Sequence, residues 1–201
     1  MLDERIETVL ARLAGEDRDE REAGLGMIQR SRAIPATTGR FLFALCAGQP
    51  SCEVLEIGGS RGYSTIWLAA AVRILGGHVI TLERDPAKLA TLGATIEEAG
   101  LDEWVEVVPG DAYQTLPALS GPFDVVFLDA EKEYYEDFFG LVRGKLEPGA
   151  VVVADNVLSH ADELADYSAR RQADPTLLSV TVPLDSGLEL TSVLTQELLS
   201  N

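Results

Sequence analysis

The chain has 201 residues and a mass of 21.6 kDa, which suits one domain with a full core better than two. Hydrophobic residues at 46% and charged residues at 24% are ordinary globular values and exclude wholesale disorder. Sixteen Lys and Arg against 33 Asp and Glu leave a net charge of -17, which repels phosphate backbones and anionic lipid, so neither nucleic acid nor a membrane surface is expected as a partner.

The N-terminus, Met1-Leu2-Asp3-Glu4-Arg5-Ile6-Glu7, has no basic region followed by an apolar one. No apolar run approaches the roughly eighteen residues of a membrane span, so the expectation is a soluble, cytoplasmic protein. Residues 1–52 read as helical and too amphipathic to stand alone, and they are expected to pack on a sheet as an appendage to a core over 53–201, all within one domain. Cys46 and Cys52 are the chain's two cysteines; with two histidines they give no zinc ligand set and read as reduced thiols. Residues 23–52 hold Arg30, Arg32 and Arg40 and no acid, which stands out in a chain this acidic; a surface balanced by acids elsewhere is the plain alternative.

From residue 53 short β-rich runs alternate with helical stretches, the rhythm of parallel βαβ units. The first strand, Glu53 to Ile57, enters Gly58-Gly59-Ser60-Arg61-Gly62 and an apolar helix through Leu75. The second is His78 to Glu83, after which Asp85-Pro86 caps a helix that Gly100 closes. Trp104 to Val108 reads as the third strand. Phe123 to Asp129 and Ala150 to Ala154 are apolar runs that suit central strands buried on both faces. A polar helix from Ala161 to Ala173 precedes Leu177 to Val182 and Leu188 to Leu194, which flank Pro183-Leu184-Asp185-Ser186-Gly187 as a closing antiparallel hairpin.

The chemistry sits where these strands end. The dinucleotide spacing G-x-G-x-x-G fails, since Ser60 and Tyr63 occupy the second and third glycine positions. The sequence has Glu56-x-Gly58-x-x-x-Gly62 instead, and a carboxylate there repels a pyrophosphate but favours a ligand carrying an ammonium or sulfonium. Glu83 can accept both hydroxyls of a ribose, or favour the dipole of the helix after it. Asp111, in Gly110-Asp111-Ala112, can accept the exocyclic amine of adenine or cap the next helix. Asp129 and Asp155-Asn156 end two strands that, if neighbours, lie about 4.8 Å apart, so three hard oxygen ligands converge on one point. Such a set suits Mg²⁺, with Mn²⁺ or Ca²⁺ as alternatives, unless these residues only cap strand ends. Lys132, three residues after Asp129, is placed to act as a general base on a hydroxyl, although most lysines are simply solvated.

Together these residues resemble the class I S-adenosylmethionine-dependent methyltransferases, specifically the cation-dependent O-methyltransferases that include the catechol and caffeoyl-CoA enzymes. The likeness runs over residues 26–196 and is carried by Val54 to Ser64, Glu83, Gly110-Asp111-Ala112, Phe127 to Lys132 and Ala154-Asp155-Asn156. It implies a seven-stranded, mostly parallel α/β sheet with helices on both faces and a C-terminal antiparallel hairpin. It further implies that Glu56, Gly58, Ser60 and Ser64 surround the methionine part of S-adenosylmethionine, Glu83 its ribose, and Asp111 with Ala112 its adenine. Asp129, which also borders the cofactor, would join Asp155 and Asn156 at the metal, and Lys132 falls where the family's proposed base falls. About twenty residues separate Asn156 from the hairpin, too few for a long substrate-covering loop, which counts against a CoA-linked acceptor.

The implied activity is methyl transfer to a hydroxyl of a small catechol-like aromatic acceptor, by a chain that the resemblance suggests is a homodimer. Two other classes stay open on the residues alone. One is a nicotinamide-dependent oxidoreductase on a related sheet, against which Glu56 and the failed glycine spacing count. The other is a non-catalytic protein that keeps the cofactor pocket and transfers nothing.

Overall fold

The computed structural model describes residues 2–26 and 29–194, so residue 1, residues 27 and 28, and residues 195–201, with which the 53–201 core and the 26–196 likeness end, lie outside it. In chain order the elements are α1 (Glu4–Glu22), α2 (Ala36–Ala47), β1 (Glu53–Ile57), α3 (Tyr63–Val72), β2 (His78–Glu83), α4 (Pro86–Ala99), β3 (Val105–Pro109), α5 (Ala112–Thr115), β4 (Phe123–Leu128), α6 (Tyr135–Arg143), β5 (Leu146–Asp155), α7 (Ala161–Ala173), β6 (Leu177–Val182) and β7 (Leu188–Val193). The seven strands form one sheet in the order β3-β2-β1-β4-β5-β7-β6. The first five run parallel, and β7 is antiparallel to both β5 and β6. This is the expected α/β sheet with its closing hairpin. The order reverses between β1 and β4, and open sheets bind ligands outside the carboxyl ends of strands at such a point.

Alternation along the central strands builds a core on each face. Val125 and Phe127 of β4 join Val54, Val79 and Val153 on one side, while Val126 and Leu128 join Leu55, Ile57, Val152 and Ala154 on the other. Helix α3 is apolar all round because all ten of its residues are buried. It ends at Val72 rather than Leu75: Ile74 and Leu75 are 47% and 44% exposed in a turn that closes at Gly76, so the apolar run outlasts the helix. The third strand likewise starts at Val105, since Asp102–Trp104 form a 3-10 turn. Helix α4 is bounded as its sequence dictates, with Asp85 Oδ1 accepting from Ala87 N at 2.9 Å and Gly100 in the left-handed conformation.

The N-terminal helices meet the helical layer rather than the sheet. Helix α1 buries Ile6, Val9, Leu10 and Leu13, a spacing that puts them on one stripe, and packs on α3 and α4. Each such side chain contributes about 1.5–3 kcal/mol. Helix α2 lies against α3, and the backbone at Gly39 approaches the Trp67 indole so closely that any Cβ there would collide with the ring. Residues 23–26 and 29–35 between them are not helical, which departs from the expectation for 1–52, because Pro35 and the short polar run before it give no helical stripe. Cys46 and Cys52 are buried and unbridged. Among the described residues no helix is long and apolar enough to cross a membrane.

Candidate functional site

Registers β1–β4 and β4–β5 pair Ile57 with Leu128 and Leu128 with Ala154, so Gly58, Asp129 and Asp155 follow at the same edge of the sheet. Gly58 has φ 105°, and a Cβ there would collide with the Asp129 carbonyl oxygen. Only glycine lets the two strand ends approach this closely. Gly58→Ala is expected to cost about 2–4 kcal/mol of stability and to weaken ligand binding at this edge, measurable by denaturant titration; an unchanged midpoint would refute the close approach.

A cavity of about 250 Å³ opens beside this contact, and Gly58, Ser60, Glu83, Asp111, Ala112 and Asp129 are all in its wall, with Arg32, Lys88 and Phe138. Glu83 is held rigidly: its Oε1 accepts from Arg84 N and Asp85 N and its Oε2 from Ser60 N, each at 2.8 Å. Each carboxylate oxygen has two lone pairs, so Oε1 is filled and one site remains on Oε2 for a ligand hydroxyl. Asp111 both caps α5, accepting from Tyr113 N at 2.9 Å, and borders the cavity, so its two readings coexist.

The remaining two residues of the expected cofactor set stand elsewhere. Glu56 is fully buried beneath the glycine turn, where its Oε2 accepts from Thr65 Oγ1 and from Thr81 Oγ1, while Oε1 has no partner. Burial raises its carboxyl above the usual range, with hydrogen bonds from neighbouring hydroxyls opposing. Ser64 is on a narrow cleft shared with Gly58, Ser60 and Asp129. Ser60 itself, at φ 49°, turns its hydroxyl away to Ser31 O at 2.7 Å.

Asp129 is common to the walls of this cavity, the narrow cleft and a larger cavity of about 620 Å³ that also contains Lys132, Asp155 and Asn156. Lys132 Nζ donates to Asp129 Oδ1 at 2.9 Å, to Ala130 O at 2.9 Å and to Tyr135 Oη at 2.8 Å. Tyr135 in turn donates to Asp155 O at 3.1 Å. Asp155 is buried with Oδ1 unpartnered, and burial first, then the charge of Asp129, pushes its carboxyl up to about 7, with the Asn156 amide and Lys132 opposing. Asn156 has φ 69°, a left-handed conformation that asparagine tolerates.

Among the described residues no three His, Cys, Asp or Glu side chains are grouped as metal ligands are; the donors here are two carboxylates and an amide. The orphaned oxygen of Asp155 and the all-oxygen donor set nonetheless fit a hard divalent cation, whose charge would stabilise two carboxylates this close. Reading the sequence missed Tyr135, which nothing distinguishes from its neighbours in Glu133-Tyr134-Tyr135-Glu136 except its spacing of three from Lys132. It also missed Phe138, on the cavity wall one turn further along α6. Arg30 and Arg32 of the acid-free stretch do line the larger cavity, whereas Arg40 is exposed on α2 and does not.

The methyltransferase-domain family matches residues 55–157, the stretch that carries the strand ends just described. A catechol O-methyltransferase of Niastella koreensis is 37% identical over 151 residues, which cover 73% of this chain and 66% of that protein. One of Mycobacterium tuberculosis is 40% identical over 146 residues, covering 69% of this chain and 66% of the relative, so the match spans just under two thirds of either relative's length. Among solved structures, an O-methyltransferase from Bacillus cereus in complex with SAH superposes with a TM-score of 0.78 at 28% identity, over 95% of this chain and 91% of that one. With its sheet order and its matched strand ends, the chain belongs to the methyltransferase-domain family, among the class I O-methyltransferases.

Proposed function

We propose that the chain transfers a methyl group from S-adenosylmethionine to one hydroxyl of a catechol-like aromatic acceptor, with a divalent cation, Mg²⁺, Mn²⁺ or Ca²⁺, at Asp129, Asp155 and Asn156. The observation that carries this reading is Asp129 itself, the shared wall between a nucleoside-sized cavity and a second, larger one. The two cavities adjoin along Asp129, Ala130, Glu131 and Arg32, so a methyl donor in the first and an acceptor in the second can bring oxygen and methyl carbon into line beside Asp129.

On this reading Glu83, fixed by three backbone amides, holds the ribose, and Asp111 with Ala112 and Phe138 surrounds the adenine. Gly58 leaves room for the methionine part, and Ser60 fixes the adjoining loop. Glu56, buried under the turn, ties Thr65 of α3 to Thr81 of β2 and so supports the turn from below. When bound, the cation supplies Lewis acidity that makes an acceptor hydroxyl easier to deprotonate. Lys132 takes that proton at Nζ as the neutral amine, which keeps two of the three donations that the ammonium makes to Asp129 Oδ1, Ala130 O and Tyr135 Oη and turns its lone pair to the acceptor hydroxyl. As the oxygen–methyl bond forms, the methyl–sulfur bond breaks and its electron pair stays on sulfur, so S-adenosylhomocysteine leaves as a neutral thioether and both charges are neutralised, which a water-poor pocket favours.

Calorimetry and product analysis test the proposal together. S-adenosylhomocysteine is expected to bind at micromolar concentration and NAD⁺ far more weakly, and a simple catechol with Mg²⁺ is expected to yield a monomethyl ether. Comparable affinity for NAD⁺ would support the oxidoreductase reading instead, and tight cofactor binding without any ether would support the non-catalytic one.

A further inference from the structure

The arginines of the acid-free stretch carry an inference that rests on the proposed methyl transfer and names the acceptor more closely. Among the described residues, the side chains of Arg30, Arg32 and Arg40 make neither an ion pair nor a hydrogen bond, while that of every other arginine makes one. In a chain of net charge -17 a free guanidinium is not for want of carboxylates. Five of them, Asp129, Glu131, Glu133, Asp155 and Glu163, line the same cavity as Arg30 and Arg32 without pairing with either, and the two that hold the loop are engaged elsewhere. Asp17 Oδ2 pairs with Arg21 and its Oδ1 accepts from Ala33 N at 3.3 Å. Glu20 Oε2 accepts from Ser31 N and Ser31 Oγ, at 2.6 and 2.7 Å, and Glu20 Oε1 pairs with Arg61 at 2.6 Å.

These bonds fasten the backbone of residues 31–33 between α1 and the glycine turn, with Ser60 Oγ on Ser31 O as a further tie. Arg32 is held at φ 53°, a left-handed conformation that is costly for arginine and that positions it on the cavity wall. Arg30 lines the same cavity, and its buried Nε has no partner. A buried guanidinium N–H without an acceptor is unfavourable unless something else supplies one.

We infer that Arg30, with Arg32, forms an anion subsite for a carboxylate carried by the acceptor, so that the substrate is an aromatic diol bearing a carboxylic acid. Its hydroxyls face Asp129, Asp155 and Lys132, and its carboxylate meets the guanidinium groups, whose planar fork matches two oxygens. The single charge of a carboxylate is favoured over a phosphate's two, because Asp129, Glu131, Glu133, Asp155 and Glu163 line the same cavity and repel the larger charge. Arg32 also borders the cofactor cavity, which leaves Arg30 as the residue that isolates the acceptor's anion from the cofactor's own carboxylate.

The test compares kcat/KM for 3,4-dihydroxybenzoate and its neutral counterpart 3,4-dihydroxybenzamide, with S-adenosylmethionine and Mg²⁺, in the wild type, Arg30→Gln, Arg32→Gln and Arg40→Gln. The wild type is expected to prefer the acid about tenfold or more at low salt, the usual scale for a charge-assisted bond, and less at high salt. Arg30→Gln should bring the ratio close to one, and Arg40→Gln should leave it as it was. A ratio near one in the wild type, or one that Arg30→Gln does not move, overturns the subsite while leaving the methyltransferase reading intact. If neither compound is methylated, that reading fails, and calorimetric titration of the same two compounds decides the subsite alone. Tighter binding of the acid that is lost in Arg30→Gln supports it, and equal binding overturns it. Titrating Arg32→Gln with S-adenosylhomocysteine separates the two cavities: a changed acid-to-amide ratio with unchanged cofactor affinity places Arg32 with the acceptor, and the reverse removes it from the subsite.

Discussion

Replacing Lys132 by alanine is expected to slow the chemical step by about 10²–10⁴-fold, the usual contribution of a positioned base, with cofactor affinity little changed. Arginine is expected to fail as well, because its guanidinium keeps its proton at any working pH and does not fit between Asp129 Oδ1 and the buried Tyr135 hydroxyl. Lys132 also steadies Asp129, so a loss of rate alone would not separate proton transfer from misplacement. The pH profile does. If Nζ takes the proton, the alanine variant should regain rate as pH rises and the acceptor ionises by itself, and the gap to wild type should narrow. If Lys132 only holds Asp129, the gap stays constant. The measurement is single-turnover methylation of a catechol across about pH 6 to 9, and rates within about threefold at every pH would remove Lys132 from the mechanism.

Excess chelator is expected to bring methylation down to background while S-adenosylhomocysteine still binds, and added Mg²⁺ to restore it. Asp155→Ala should show the same loss without rescue. Full activity in either case would make Asp129, Asp155 and Asn156 structural. A readout independent of turnover comes from Asp155, whose carboxyl is pushed up to about 7 from an ordinary 3.8. Because its pKa is raised on folding, the stability it allows is fully present below the unfolded value and is lost as pH rises through about 7. The cation-free protein should therefore melt lower at pH 8 than at pH 5, and Asp155→Asn should reduce that difference. Mg²⁺ should raise the melting temperature more at pH 8 than at pH 6, since protons compete for the same oxygens. Equal stabilisation at both pH values would place the cation elsewhere.

Most of the strand ends were legible because each ends an apolar run in an acid or a glycine, as Ile57-Gly58, Leu82-Glu83 and Leu128-Asp129 do. Helix α4 was legible for a similar reason, having a cap at each end. The order of the hairpin strands was not. Leu177 to Val182 and Leu188 to Leu194 look equally apolar, yet Leu178 and Val180 are exposed on the outer strand while Leu188, Thr191 and Val193 are buried on the inner one. In the site, Asp129, Asp155 and Lys132 could be read from local spacing. The turning of Ser60 towards Ser31 and the burial of Glu56 depend on segments folding back from far along the chain, which no local pattern encodes, whereas Tyr135 reaches Lys132 locally and only its buried tie to Asp155 O is long-range.

Helix α3 has no solvent-facing side, and α1 and α2 cover it. The loop between those two helices carries Arg30 and Arg32. Recognition of the acceptor is thus not a detachable module. A segment borrowed for residues 1–52 from a relative with another acceptor must fit this α3, with a glycine opposite Trp67 and apolar side chains where Leu13 and Leu42 stand, or it will expose a largely apolar helix and aggregate. Acceptor range in such a chain changes most readily by single substitutions in the loop, and a library confined to residues 29–33 should yield soluble variants far more often than exchange of the whole segment.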